Sequence, residues 1–314
     1  MSANLTTFTP PNSINTAVLF LVFNRLDTTK EVFEAIRLVR PPRLYIAADG
    51  ARTSREGEAT TVQSVRDYVL NHIDWECEVK TLFREQNLGC KYAVSSAVAW
   101  FFENEEMGII LEDDCLPDPT FFNFCQELLE RYRHDQRIGM ISGDNFQFGS
   151  RRNNDSYYFS KYVHIWGWAT WRDRWAGSYD VTMKKWPRIC DEGWLADMVG
   201  NVREAAYWRK IFERVHRGEI DTWDYQWVFA NWVEGRMSIL PAVNMITNIG
   251  FDGNATHTTG ASALANLARN PIDFPLVHPP GIFRNIQADQ FSEIKCFRVP
   301  LMKRIRNKLA GWLR

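Results

Sequence analysis

The sequence predicts an α/β fold on a doubly wound, mostly parallel sheet. Short apolar runs of strand length alternate with amphipathic helical stretches through residues 17–146. Those runs end, one after another, in polar or charged residues. None approaches the roughly 18 apolar residues that a membrane-spanning helix needs.

Taken in order, AVLFLVFNR (17–25) is rich in β-branched and aromatic residues and reads as a strand covered on both faces. DTTKEVFEAIRLVR (27–40) follows with an Asp/Thr start, apolar residues at Val32, Phe33, Ile36 and Val39, and a stop at Pro41-Pro42. RLYIAADG (43–50) is a second strand, REGEATTVQSVRDYVLNHI (55–73) a helix, CEVKTLFRE (77–85) a strand and KYAVSSAVAWFFEN (91–104) a helix. GIILEDD (108–114) is the fourth strand, DPTFFNFCQELLERYRHD (118–135) an amphipathic helix and IGMISGDNF (138–146) a short strand.

The second half changes texture. YYFSKYVHIWGWATWRDRW (157–175) is dense in aromatics, residues 194–218 and 222–235 read as helices, and MSILPAVNMITNIG (237–250) as strand and loop. Neither an internal repeat nor a low-complexity linker divides the chain. The expected organisation is an N-terminal extension (1–15), a ligand-binding half (16–150), an aromatic-rich second half of the same domain (151–285) and a basic amphipathic tail (286–314).

Composition narrows the function. With 314 residues, 45% apolar and 24% charged, the chain is ordinary for a soluble globular protein. A net charge of −1 lacks the basic footprint of a nucleic-acid binder. Six scattered cysteines without C-x-x-C spacing favour neither a zinc site nor a disulfide framework, and fit a reducing compartment. The stretch MSANLTTFTPPNSINTA lacks a basic-then-apolar leader pattern, so a cytoplasmic location is expected. Thirteen tryptophans suit core packing and also stacking on flat ligands such as sugar rings.

The strand ends carry the chemistry. In a doubly wound sheet, ligands gather at the carboxyl ends of the strands. Here those ends present Asn24-Arg25, Asp49, Arg84 and Glu112-Asp113-Asp114. Three adjacent acids repel one another, and burying them unpaired is costly. A solvated acidic turn would explain them alone, but the apolar strand behind them and the three matching rims favour a cation site. Mg²⁺ or Mn²⁺ takes oxygen ligands, commonly one or two carboxylates plus substrate phosphates. Arg25, Arg84 and Lys91 offer the opposite charge, and the N-terminus of the 91–104 helix can also attract phosphate. Together they describe a diphosphate pocket.

These islands resemble GT-A-fold glycosyltransferases that use nucleotide-sugar donors, in particular the N-acetylglucosaminyltransferase I group and its bacterial, family 2-like relatives. The resemblance runs from about residue 17 to about 260 through VFNR, AADG, REQNLGCKYAVSSA, LEDD with PDPTFFNF, ISGDNF, GWATWRDRW and TWDYQW. The Glu-Asp-Asp island with its continuation is the specific one. The resemblance implies a GT-A fold, a Mn²⁺ or Mg²⁺ cofactor, and a nucleotide-sugar donor, UDP-linked by expectation. Arg25 would meet the donor phosphates and Asp49 the base. Asp114 would bind the metal, with Asp113 and Glu112 on ribose and sugar. Asp224 would be the catalytic base, with Asp144 the rival. His257, in the polar loop NATHTTG, is a further candidate near the metal or diphosphate. Trp166, Trp168 and Trp223 are candidates for stacking on the acceptor, with core burial the competing reading.

The expected activity is thus inverting transfer of a hexosyl or N-acetylhexosaminyl group to a glycan or lipid-linked acceptor. Two alternatives stay open. A sugar-phosphate nucleotidyltransferase would share the sheet, although FNRLD stands where its Gly-rich loop would be; a carbohydrate-binding protein would need no catalysis. Finally, Leu301, Met302, Ile305, Leu309, Trp312 and Leu313 share one helical face, ringed by Lys303, Arg304, Arg306, Lys308 and Arg314. That pattern suits either an anionic membrane surface or docking on the domain.

Overall fold

The structure, a computed structural model, describes residues 13–251, 264 and 267–297. The strands are β1 (Ala17–Val22), β2 (Arg43–Ala48), β3 (Glu78–Phe83), β4 (Met107–Glu112), β5 (Cys115–Pro117), β6 (Ile138–Ser142), β7 (Tyr157–Ser160), β8 (Trp168–Trp171), β9 (Met237–Pro241) and β10 (Ile246–Asn248). The helices are α1 (Leu26–Val39), α2 (Glu58–Asn71), α3 (Gly89–Asn104), α4 (Thr120–Arg131), α5 (Arg172–Ala176), α6 (Trp186–Asp191), α7 (Leu195–Val199), α8 (Val202–His216), α9 (Asp224–Val233) and α10 (Ile286–Ser292).

Eight strands form one sheet in the order β3-β2-β1-β4-β8-β6-β9-β7, with β8 and β7 antiparallel to their neighbours and the other pairings parallel. The chain first steps outward from β1 through β2 to β3, then returns to place β4 on the other side of β1. That reversal is the topological switch point of a doubly wound sheet, the place beyond the strand ends where such sheets bind ligands. Register makes the ends flush: Leu21 lies beside Glu112 and Val22 beside Ala48. Arg25, Asp49 and Asp113 therefore leave the sheet at one rim.

β1 is buried along its whole length, which is why it reads as an unbroken apolar run. One apolar layer packs α1, α2 and α4 on one face of the sheet, and a second packs α3, α8 and α9 on the other. A small antiparallel ribbon of β5 and β10 pins residues 246–248 beside the segment that follows the acids.

Three expectations change on this framework. The helical reading of 194–218 divides into α7 and α8, because Gly200 adopts φ 75° and the Asn201 side chain caps α8 by accepting from the Arg203 and Glu204 N–H groups. Residues 286–297 are not a separate tail: α10 packs on β7, with buried Asp289 accepting from the Ser160 hydroxyl at 2.5 Å. Within the expected N-terminal extension, Ile14 is buried and Gln126 of α4 accepts from the Asn15 N–H. The basic stretch 300–314 lies outside the described residues. No helix among the described residues is long and apolar enough to cross a membrane.

Most of the described tryptophans sort into core. Trp168 and Trp223 stack on each other, centroids 5.5 Å apart and planes 22° from parallel, against Trp175 and Trp227. Both are essentially inaccessible, at 0% and 2% exposure. Such side chains offer no face to an acceptor sugar, so the stacking expected of Trp168 and Trp223 is corrected to packing between β8 and α9. Trp166 is half-buried, edge-on to Phe146 and Phe251, and stays a candidate.

Candidate active site

The centre of the rim is Asp114. Its Oδ2 meets the Arg25 guanidinium at 2.8 Å, and its backbone carbonyl accepts from the Ile249 N–H at 2.8 Å. Gly250 covers the pair. A Cβ at that position would fall 2.2 Å from Asp114 Oδ2 and 2.7 Å from Arg25 Nη1, so only glycine lets the chain pass over the ion pair. Gly250→Ala should therefore force the two side chains apart and cost about 1–3 kcal/mol as an overpacked contact. Comparing denaturant midpoints of the variant and the wild type measures it.

Asp113 and Glu112 behave differently from Asp114. Asp113 is buried, and its Oδ2 accepts the Phe23 N–H at 3.1 Å, tying the end of β4 to the end of β1. Burial and then the Asp114 charge push its carboxyl up to about 7, against the pull of Arg25. Glu112 rises well above the ordinary carboxylate range, first through burial and then through Asp114, Asp113 and Asp224. Asp224, half-buried at the first position of α9, thus stands close enough for its charge to be felt at Glu112. The Thr222 hydroxyl donates to the Asp224 carboxylate. The rim thus gathers Glu112, Asp113, Asp114 and Asp224 near the Arg25 guanidinium.

Asp144 is set apart. It is fully buried beyond β6, Oδ2 accepting the Trp166 N–H at 3.0 Å while Oδ1 has no hydrogen-bond partner among the described residues. Burial holds its carboxyl well above the usual range. A proton acceptor has to reach its substrate hydroxyl; Asp144 is sealed from solvent, whereas Asp224 is half-buried.

Of the remaining candidates, Asp49 and Lys91 meet at the first turn of α3, Arg84 lies against its second, and Asn24 turns to the start of α2. Asp49 accepts from the Leu88 and Gly89 N–H groups at 3.0 and 3.1 Å and from the Asn87 side chain at 2.9 Å. Burial raises its carboxyl although those donors oppose the shift. Arg84 donates to the Ser96 hydroxyl at 2.8 Å, and the Lys91 ammonium lies 5.4 Å from the Tyr92 ring centroid. Asn24 donates to Glu58 at 2.9 Å, and Arg52 holds that glutamate down at about 2. The α3 N-terminus expected to attract phosphate is already met by carboxylates, Asp49 and, through the Lys91 N–H at 3.2 Å, Asp221. His257 lies outside the described residues.

Sequence reasoning missed Asp221, Gly250 and Cys90. The Cys90 thiol, in the first turn of α3, is pushed up by burial and then by Glu112, Asp224, Asp221 and Asp114, which marks it as the common neighbour of those acids. The available signals were faint: an acid three residues before Asp224, and a glycine closing the NIG turn.

No protein-family model matches the chain, and no curated protein matches it. Among solved structures, GalNAc-T7 with UDP, GalNAc and Mn²⁺ superposes with a TM-score of 0.45 at 12% identity, over 73% of this chain and 43% of that one. Galactosyltransferase LgtC, in complex with donor and acceptor sugar analogs, gives 0.31 at 10% identity over 56% of this chain and 64% of its own. UDP-glucose pyrophosphorylase complexed with UDP-glucose gives 0.26 at 12%, over 47% and 62%. This chain spans less than half of the GalNAc-T7 chain and less than two thirds of the other two. At such low scores these likenesses carry no weight for function, which rests on the site.

Proposed function

We propose that the protein is a metal-dependent, inverting glycosyltransferase that moves a sugar from a UDP-sugar to a glycan or lipid-linked acceptor. One observation carries this reading: Glu112, Asp113, Asp114 and Asp224 converge at the sheet's switch point, where Arg25 is the opposing charge. Burial first and then the neighbouring acids raise the Glu112 and Asp113 carboxyls, and hard oxygen donors of this kind suit Mn²⁺ or Mg²⁺. Among the described residues there is no cluster of three or more His, Cys, Asp or Glu that could hold a metal ion. In phosphate chemistry such an ion is commonly held by one or two carboxylates and completed by substrate phosphates. Asp114 would hold it, and when bound it would neutralise charge on the departing diphosphate.

The chain's own residues supply the remainder. Arg25 would stay on the diphosphate and stabilise the charge that grows as the glycosidic bond breaks. Asp113 and Glu112 would hold ribose and sugar through hydroxyl hydrogen bonds. Asp224 would take the proton of the acceptor hydroxyl as that oxygen attacks the anomeric carbon from the opposite face, which inverts its configuration.

The test is release of UDP from a panel of UDP-sugars, with water or added glycans as acceptors, in Mn²⁺ and in EDTA. The expected result is turnover in Mn²⁺ that falls by about a hundredfold or more in EDTA. Release of pyrophosphate instead would mark a nucleotidyltransferase. Metal-indifferent glycan binding without turnover would mark a binding protein.

A further inference from the structure

We propose that Asp221 is a positioning residue, a latch that caps α3 and thereby carries Asp224 to the carboxylate cluster. The inference deepens the glycosyltransferase reading and takes from it the role of Asp224.

A helix begins with N–H groups that no intrahelical carbonyl can reach. Leu88, the N-cap of α3, offers no side-chain acceptor, so the first turn depends on carboxylates from elsewhere. Asp49 accepts from Leu88 and Gly89, while Asp221, from 130 residues further along the chain, accepts from Lys91 at 3.2 Å. Gly89 makes room for it. Its φ is 75°, and a Cβ there would come within 2.8 Å of Asp221 Oδ2.

From Asp221 to Asp224 the chain has little freedom. Trp223 is buried in the tryptophan stack, and its carbonyl accepts from the Tyr179 hydroxyl at 3.1 Å. Thr222 is buried and donates to Asp224. Asp221, itself exposed, is thus the tie to α3 of a short segment that leads directly into Asp224. Cys90, one residue from the capped Lys91 amide, feels Glu112, Asp224, Asp221 and Asp114 together, so the latch and the catalytic acids share one neighbourhood. Asp114 and α3 belong to the first half of the chain and Asp224 to the second. Beside the Trp168–Trp223 stack, Asp221 is a polar bond that keeps the proposed base in register with the proposed metal ligand.

The test uses the full chain with Asp221→Ala and Asp221→Asn, the second keeping an oxygen acceptor without the charge. Amide hydrogen exchange is followed at Lys91 and across residues 222–226, UDP binding in Mn²⁺ by calorimetry, and UDP release from the UDP-sugar panel. Asp221→Ala should speed exchange at both places by about tenfold, the scale of a lost helix cap. It should lower turnover by a similar factor while the donor KM and UDP affinity stay unchanged. Asp221→Asn should restore most of the protection and turnover. Unchanged exchange in Asp221→Ala overturns the latch, and so does equal loss in both variants. Tighter UDP binding in Asp221→Ala also overturns it, because Asp221 would then be a competitor of the diphosphate. A wild type that releases no UDP from any donor sinks the glycosyltransferase reading instead, while hydrogen exchange still decides the latch.

Discussion

Asp114→Asn should abolish the Mn²⁺-dependent part of UDP binding and lower turnover by about a thousandfold, the equivalent of several kcal/mol of charge stabilisation at the diphosphate. Asparagine keeps the shape of aspartate and an oxygen that can still accept from Arg25, so the contact beneath Gly250 survives. It removes the negative charge that a hard dication requires. Calorimetry with UDP separates the two roles of this residue. In EDTA, variant and wild type should bind UDP alike. In Mn²⁺, the wild type should gain affinity and the variant should not. A variant that keeps the Mn²⁺ increment would leave Asp114 as a partner of Arg25 only and transfer the metal to Asp113 or Glu112. A protein that merely loses stability, with its metal response intact, would point the same way.

Much of the rim formed by the first half of the chain was legible because its geometry is local. β1, β2 and β4 are covered on both faces, so each reads as an apolar run, and the residue after each run must emerge at the rim. Asn24-Arg25, Asp49 and Glu112-Asp113-Asp114 are placed by that rule alone. The second half obeys no such rule. β8 is four residues inside an aromatic run, and its place between β4 and β6 depends on antiparallel pairing with strands already formed. Which tryptophans face solvent depends on what packs above them: Trp166 and Trp168 are separated by one glycine, yet one is half-buried and the other sealed. Long-range contacts were hidden for the same reason. Gly250 matters because it crosses the Asp114–Arg25 pair, and Asp221 because it reaches the α3 N-terminus; neither fact has a local pattern. Asp144 does lie just beyond β6, as its place in the sequence implies, but its burial under Trp166 depends on the turn that follows β6 and has no local pattern.

Asp224→Asn should reduce transfer by about a hundred- to ten-thousandfold, the range that a positioned general base supplies, and should leave UDP affinity in Mn²⁺ unchanged. The split follows from position. Asp224 begins α9 in the second half of the chain, and its carboxylate is fixed by the Thr222 hydroxyl, whereas the groups proposed to hold the donor follow β1 and β4. Asparagine can keep the hydrogen bond from Thr222, so the loop stays in place while the capacity to take a proton is lost. Its removal also relieves part of the repulsion that raises Glu112, so the variant should bind no more weakly than the wild type. Turnover and calorimetry on one preparation make the comparison. Equal loss of turnover and UDP affinity would assign Asp224 to donor binding. Retained turnover in Asp224→Asn, with loss in Asp144→Asn and no loss of folded protein, would return the base to Asp144. That outcome requires the turn over β6 to open, because Asp144 is sealed beneath the Trp166 backbone in this structure.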